Sequence, residues 1–413
     1  MSGLHEVTNR RRGQRWALAV GAAILALAIV ELGLRNIGGV FHDRFTQPDP
    51  HRGWSLKPGF SGWMLTGRPL WVRINSDGMR DREHALAARP GTVRIAILGD
   101  SYMQGLTTSL EDTFGAYLER DLTRCPGSTG GVEVLNFGVS GYGTAQELLT
   151  YRHHAAKYKP QVVLLAFYTN NDVFNNHRRI NPTDYSDQSP YFTLDGGRLV
   201  LDDAFRAVLA ESADQPLWRD VRIFLTERIR VLQLLHEAYG SIRPYFVAAP
   251  PETAEEEGPP MADVSNEIYR DSAIPEVQEA WRVTEALLLA LNDEVTAQGA
   301  ELWITTLANA PQVDPDRSNR EASLKELGVA SLLYPDLRIR DFARRHGIRV
   351  ITLAPALADY TAAHHIYLNG SGDGAVAEGD NHWTAIGNRI AAGMVATDLC
   401  RDSPALSRRP ITE

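Results

Sequence analysis

Cysteine is scarce in this chain, with Cys125 and Cys400 alone among 413 residues. Two thiols exclude a disulfide-built scaffold and a cysteine metal cluster. In an oxidising compartment they can still pair, and two unrelated buried thiols are the other reading. An excess of positive charge is also missing. The formal net charge is −9, with no basic cluster beyond the N-terminus, so nucleic acid is not an expected partner. No set of potential ligands has metal-like spacing near a candidate nucleophile, so neither metal nor cofactor is expected. The acidic run Glu252, Glu255, Glu256 and Glu257 lies between prolines and reads as solvated loop, not as a cation site. Internal repeats are lacking.

Long apolar runs are missing as well, with one exception. Residues 16–34 are uninterrupted apolar sequence except for Glu31, and Arg10, Arg11, Arg12 and Arg15 precede them. A bilayer core takes about 20 apolar residues as helix. Arginines stay on the cytoplasmic side, so 1–15 reads as a cytoplasmic tail, 16–36 as a transmembrane anchor, and the rest as periplasmic or extracellular. Ala26-Leu27-Ala28 also fits a signal-peptidase site, which keeps a cleaved leader open.

Residues 37–90 mix Gly, Pro, Arg and Trp without periodicity and read as an irregular connecting segment. From 91 to 400 the pattern changes. Apolar, β-branched runs at 93–98, 132–137, 161–168, 301–306 and 348–353 alternate with helical spacing at 113–122, 145–158, 276–298, 335–346 and 384–399. Near-continuous apolar strands need cover on both faces, which predicts an α/β three-layer sandwich around a five-stranded, mostly parallel sheet. An insertion at about 174–275 interrupts it, with a helix expected over 217–239, and 401–413 is a tail.

In such sheets, reactive groups collect at the carboxyl ends of the strands. Four polar segments fall there: Gly99-Asp100-Ser101, Asn136-Phe137-Gly138-Val139-Ser140-Gly141, Thr169-Asn170-Asn171-Asp172 and Asp380-Asn381-His382. Singly, each can be turn or cap chemistry. Together and in this order they resemble the signature blocks of the SGNH (GDSL-like) hydrolase superfamily over about residues 91–400, minus the insertion. The resemblance implies a flavodoxin-like SGNH fold. It also implies Ser101 as nucleophile, His382 and Asp380 as its triad partners, and the Ser101 amide, Gly141 amide and Asn171 side chain as an oxyanion hole. Tyr102 replaces the usual leucine and Thr169 the usual glycine. Asp380-x-His382 replaces the commoner Asp-x-x-His, a form similar to that of alginate acetylation proteins, and a backbone carbonyl could stand in should Asp380 not reach the imidazole.

The residue chemistry stands beside that resemblance. A serine hydroxyl attacks an ester once an imidazole takes its proton, and fixed donors then stabilise the oxyanion. The resemblance implies ester or acylated carbohydrate or lipid substrates. It leaves three readings open: an esterase, an O-acyltransferase modifying an envelope polysaccharide, and a catalytically silent binding module. Trp54, Trp63 and Trp71 could stack on sugar rings or pack the connecting segment. The insertion, directly after the Asn171 loop, is a candidate wall or lid. His153, His154, His177, His364 and His365 are weaker candidates. In this winding the first and last helices lie side by side, so the fold predicts a Cys125–Cys400 disulfide.

Overall fold

The computed structural model describes residues 2–36, 45–66, 68–125, 128, 130–183, 186–213, 217–242, 261–370 and 382–407. Two compact units are present, one of Met1–Arg44, Trp63–Pro69 and Asp214–Ala254, the other of Phe45–Gly62, Leu70–Ala213 and Glu255–Glu413.

The larger unit is built on five strands, numbered here in chain order: β1 (Val93–Gly99), β2 (Val132–Asn136), β3 (Val162–Tyr168), β4 (Glu301–Leu307) and β5 (Arg349–Thr352). Their order is β5-β4-β3-β1-β2, and every neighbouring pair is parallel. Alternate residues feed two cores. Ala96, Leu98, Val163, Leu165 and Ile304 face the helices Thr144–His153, Pro275–Ala297 and Tyr334–Arg345. Ile95, Ile97, Leu164, Ala166 and Trp303 face Phe114–Leu122, Leu353–His364 and Ala385–Asp402. Each fully buried Val, Leu or Ile contributes roughly 1.5–3 kcal/mol, so period-two burial on both faces fixes the register. The Pro275–Ala297 helix shows why these helices form: proline occupies its first turn, and Val277, Ala280, Trp281, Thr284, Leu287, Leu288 and Leu291 bury one stripe.

The connecting segment holds more order than its composition suggests. Thr46–Asp49 and Gly53–Leu56 form an antiparallel hairpin, closed by Asp49 Oδ1 accepting the N–H groups of His51 and Arg52, both at 2.9 Å. In the insertion, Tyr191–Asp195 pairs with Arg198–Asp202 across Gly196-Gly197, whose φ values of 54° and 83° suit a tight hairpin turn. A helix, Phe205–Ala213, follows. The helix expected over 145–158 ends at His153 and gives way to a 3₁₀ turn, Ala155–Tyr158. The acidic run at Glu252, Glu255, Glu256 and Glu257 lies outside the described residues.

The smaller unit contains the helix Ser2–Asn36 and, where one helix was expected, two: Leu217–Arg228 and Arg230–Ile242. Within the first, Arg15–Arg35 has mean hydropathy 2.4 and is long and apolar enough to cross a membrane.

Candidate active site

Because β1 lies between β2 and β3, the loops leaving these three strands emerge side by side. The register pairs Ile97 with Asn136 and Gly99 with Ala166, which brings the segments carrying Ser101, Gly141 and Asn171 to one edge. Ser101 opens the short helix Ser101–Gln104. Asp100 caps it, its Oδ1 accepting the Tyr102 N–H at 2.9 Å.

His382 arrives from the other end of the chain. Its Nε2 lies 2.7 Å from Ser101 Oγ. The backbone around it is pinned: Gly370 N–H donates to the His382 carbonyl at 3.0 Å, Thr384 N–H to Leu368 at 2.7 Å, and the Thr107 hydroxyl to the Trp383 carbonyl at 2.9 Å. Thr384 caps the Ala385–Asp402 helix by accepting the Gly387 N–H at 3.2 Å. Tyr102, the departure from leucine, packs its ring 5.0 Å from the His382 imidazole and 4.5 Å from Tyr168, and Trp383 meets it edge-on at 5.2 Å. This aromatic packing confines the imidazole.

The loop after β2 is held on three sides. Gln104 Oε1 accepts the Ser140 N–H at 2.6 Å, the Ser140 carbonyl accepts the Trp54 indole N–H at 3.1 Å, and the Gly141 carbonyl accepts Asn175 Nδ2 at 3.2 Å. Gly141 sits at φ 79°, where a side chain is disfavoured. The N–H groups of Ser101 and Gly141 make no hydrogen bond among the described residues. Asn171 begins the helix after β3, and its side chain is among the neighbours that hold the Asp100 carboxyl down. Asp380 lies outside the described residues. Thr169, the departure from glycine, is buried and accepts Asn309 Nδ2 at 3.0 Å.

Behind these groups lie three buried carboxyls that the sequence did not single out as a set: Asp100, Glu147 and Asp172. Burial, opposed by the Tyr102 amide and the His382 charge, raises Asp100 to about 6. Burial first and neighbouring carboxylates second push Glu147 and Asp172 well above the usual range. Asp172 Oδ2 accepts the Tyr168 N–H at 2.8 Å and so closes the turn before Asn171. Among the described residues no group of three or more His, Cys, Asp or Glu side chains is arranged to hold a metal ion.

A cavity of about 250 Å³ opens beside Asn170, lined also by Tyr168, Ser265, Tyr269, Asn309 and Glu326. A larger one, about 350 Å³, lies along edge strand β2 between Arg80, Glu111 and Glu119. Trp54 is buried, Trp71 is 53% exposed, and Trp63 belongs to the other unit. The other candidate histidines have local roles or surroundings: His153 stacks on His51 at 3.9 Å, His154 Nε2 meets Asp77 at 2.8 Å, His177 faces Glu279 at 3.7 Å, and His364 packs on Tyr360 at 4.3 Å. His365 ends its helix at φ 50°. Cys125 and Cys400 are disulfide-bonded with a Cα separation of 5.5 Å.

Residues 97–282 match the model of the GDSL-like Lipase/Acylhydrolase family. No curated protein matches the sequence. Among solved structures, a catalytic mutant of an acetylxylan esterase from Geobacillus stearothermophilus is similar at 12% identity, covering 77% of this chain and 97% of its own, with TM-score 0.35. The lipase/acylhydrolase from Enterococcus faecalis is similar at 12% identity, covering 75% and 96%, with TM-score 0.34. The acetyl xylan esterase AlAXEase is similar at 12% identity, covering 74% and 100%, with TM-score 0.35. The GDSL-like match spans the loops of Ser101, Gly141 and Asn171 and supports the SGNH hydrolase superfamily for the domain that residues 97–282 cover.

Proposed function

We propose that this chain is a membrane-anchored serine esterase that cleaves acyl esters outside the cytoplasm through an acyl-enzyme on Ser101. Membership of an acylhydrolase family supports ester hydrolysis as the reaction class. The observation that carries the assignment to Ser101 is the 2.7 Å contact with His382 Nε2, made across 281 positions of sequence.

In this reading Ser101 Oγ attacks the ester carbonyl carbon while its proton passes to His382 Nε2. The oxyanion is received by the Ser101 and Gly141 N–H groups and the Asn171 side chain, each donor contributing about 3 kcal/mol to the transition state. Collapse breaks the bond to the alkoxy oxygen, which leaves as the alcohol with the proton from His382. Water then attacks the acyl-enzyme, giving its proton to His382, and Ser101 is released with the carboxylic acid. Asp380 is assigned the second imidazole nitrogen, where it holds the tautomer and stabilises the imidazolium.

The cavity beside Asn170 supports a substrate pocket next to this centre, and Ser265 and Tyr269 give the insertion a share of its wall. The apolar helix at Arg15–Arg35 supports anchoring. The test is turnover of a chromogenic acetate ester: Ser101→Ala is expected to abolish it with the circular dichroism unchanged, and normal turnover would overturn the assignment. A glycan acceptor that captured the acyl group in place of water would move the reaction to transfer.

A further inference from the structure

The two helices that the insertion contributes to the smaller unit leave an apolar face uncovered. Trp218, Val221 and Phe224 recur at three-residue spacing on Leu217–Arg228, and Leu235 and Tyr239 share a face of Arg230–Ile242. All five are exposed, Trp218 to 63% and Leu235 to 60%. A stripe of that spacing ordinarily goes into a core. What covers it here is indicated by its neighbour.

Glu31 is the one charged residue between Trp16 and Leu34. Its two carboxylate oxygens accept the N–H groups of Arg230 and Val231 at 3.1 and 3.0 Å. Those are donors that the start of a helix leaves without internal partners. Arg35, paired with Glu31 at 2.8 Å, donates to the Arg228 carbonyl at 3.0 Å. The joint between the two insertion helices is thus pinned to the last turn of the apolar helix, whose own side chains, Leu25, Leu27, Ile29 and Leu32 among them, are exposed. A carboxylate in an apolar span is costly unless paired, and here, besides Arg35, its partners come from the insertion, about 200 residues further along the chain.

We propose that residues 217–242 form an amphipathic helix pair that lies in the lipid–water interface beside the end of the anchor, with a phospholipid bilayer covering its apolar face. Continuity with the exposed surface of the apolar helix selects lipid as the occupant. The side chains suit that depth, because Trp and Tyr favour the headgroup level. Arg222 lies over the Trp218 ring at 5.6 Å and Arg228 over Phe224 at 5.1 Å, so guanidinium groups flank the apolar stripe where anionic headgroups lie.

The proposal rests on the membrane reading of the N-terminal helix, and the experiment separates the two. Full-length protein is reconstituted in vesicles of phosphatidylethanolamine and phosphatidylglycerol, with one nitrobenzoxadiazole label at Val221→Cys, Leu235→Cys, Leu27→Cys or Arg198→Cys. The native cysteines are disulfide-bonded and do not take the label. Labels at 221 and 235 are expected to lose most of their emission to a shallow doxyl-lipid and little to aqueous iodide. The label at 27 should respond to a deep doxyl-lipid, and the label at 198 to iodide alone. Iodide quenching at 221 and 235 with lipid quenching at 27 overturns the proposal and leaves the anchor standing. Iodide quenching at all four positions overturns both.

Discussion

The indole N–H of Trp54 donates to the Ser140 carbonyl at 3.1 Å. The Ser140–Gly141 peptide is trans, so fixing its carbonyl on one side aims the Gly141 N–H to the other, where the oxyanion is assigned. The hairpin Thr46–Asp49/Gly53–Leu56 therefore reaches into the site through this hydrogen bond, and the Tyr142 hydroxyl donates to the Trp54 carbonyl beside it. Trp54→Phe keeps most of the packing and deletes the donor. A net loss of about 1 kcal/mol predicts a roughly five- to tenfold fall in kcat with KM little changed, and steady-state kinetics on a chromogenic ester check it.

Gly138 sets the distance between the loop after β2 and the Ser101–Gln104 helix. A Cβ there would lie 2.5 Å from Met103 Cβ and 2.8 Å from Gln104 N. Gly138→Ala must push the two apart, which is expected to cost about 1–3 kcal/mol of stability and to lower kcat together with it. Denaturant unfolding and turnover on the same sample test both effects.

The sheet was legible because burial on both faces leaves near-continuous apolar runs, and β3 is buried at every position. Ser101 and His382 were legible because their residue types fall in ordered blocks, and the structure brings them to 2.7 Å. The sequence offers Trp54 to a sugar ring or to packing and not to a loop carbonyl, because nothing local tells a tryptophan that packs an irregular segment from one that holds a loop peptide 86 positions away. The Leu353–His364 helix was missed because it starts directly after Thr352, the last residue of β5, so one apolar run spans the boundary. The Arg317–Leu327 helix buries none of its residues and so carries no apolar stripe to read. Nothing in the sequence separates the Glu147 carboxyl from an acid on a helix surface, and only its tertiary surroundings bury it.

The disulfide joins the segment after the Phe114–Leu122 helix to the helix that follows His382. Closing a loop of 275 residues restricts the unfolded chain, so Cys125→Ser with Cys400→Ser is expected to lose roughly 2–5 kcal/mol. Equilibrium unfolding of the parent with and without a reductant gives the same comparison without mutation.

Glu147 supplies a pH test. Both its carboxylate oxygens lack a partner among the described residues, and burial, then the Asp100 charge, raise its pKa. The folded state thus holds this proton more tightly than the unfolded chain. The stability it contributes is full below the ordinary glutamate pKa and is lost as pH rises through the raised folded value. Glu147→Gln removes that loss. Its Tm relative to the parent is expected to climb as pH goes from about 5 to about 9, as differential scanning calorimetry would record; a constant difference contradicts the assignment.

In the proposed mechanism the imidazole of His382 makes the Ser101 hydroxyl nucleophilic. Fluorophosphonate labelling of the full-length protein, followed by peptide mass mapping, tests it most directly. One adduct is expected, on the peptide containing Ser101, absent in Ser101→Ala and greatly slowed in His382→Ala. An adduct on another residue, or labelling of Ser101 at an undiminished rate without His382, would contradict it.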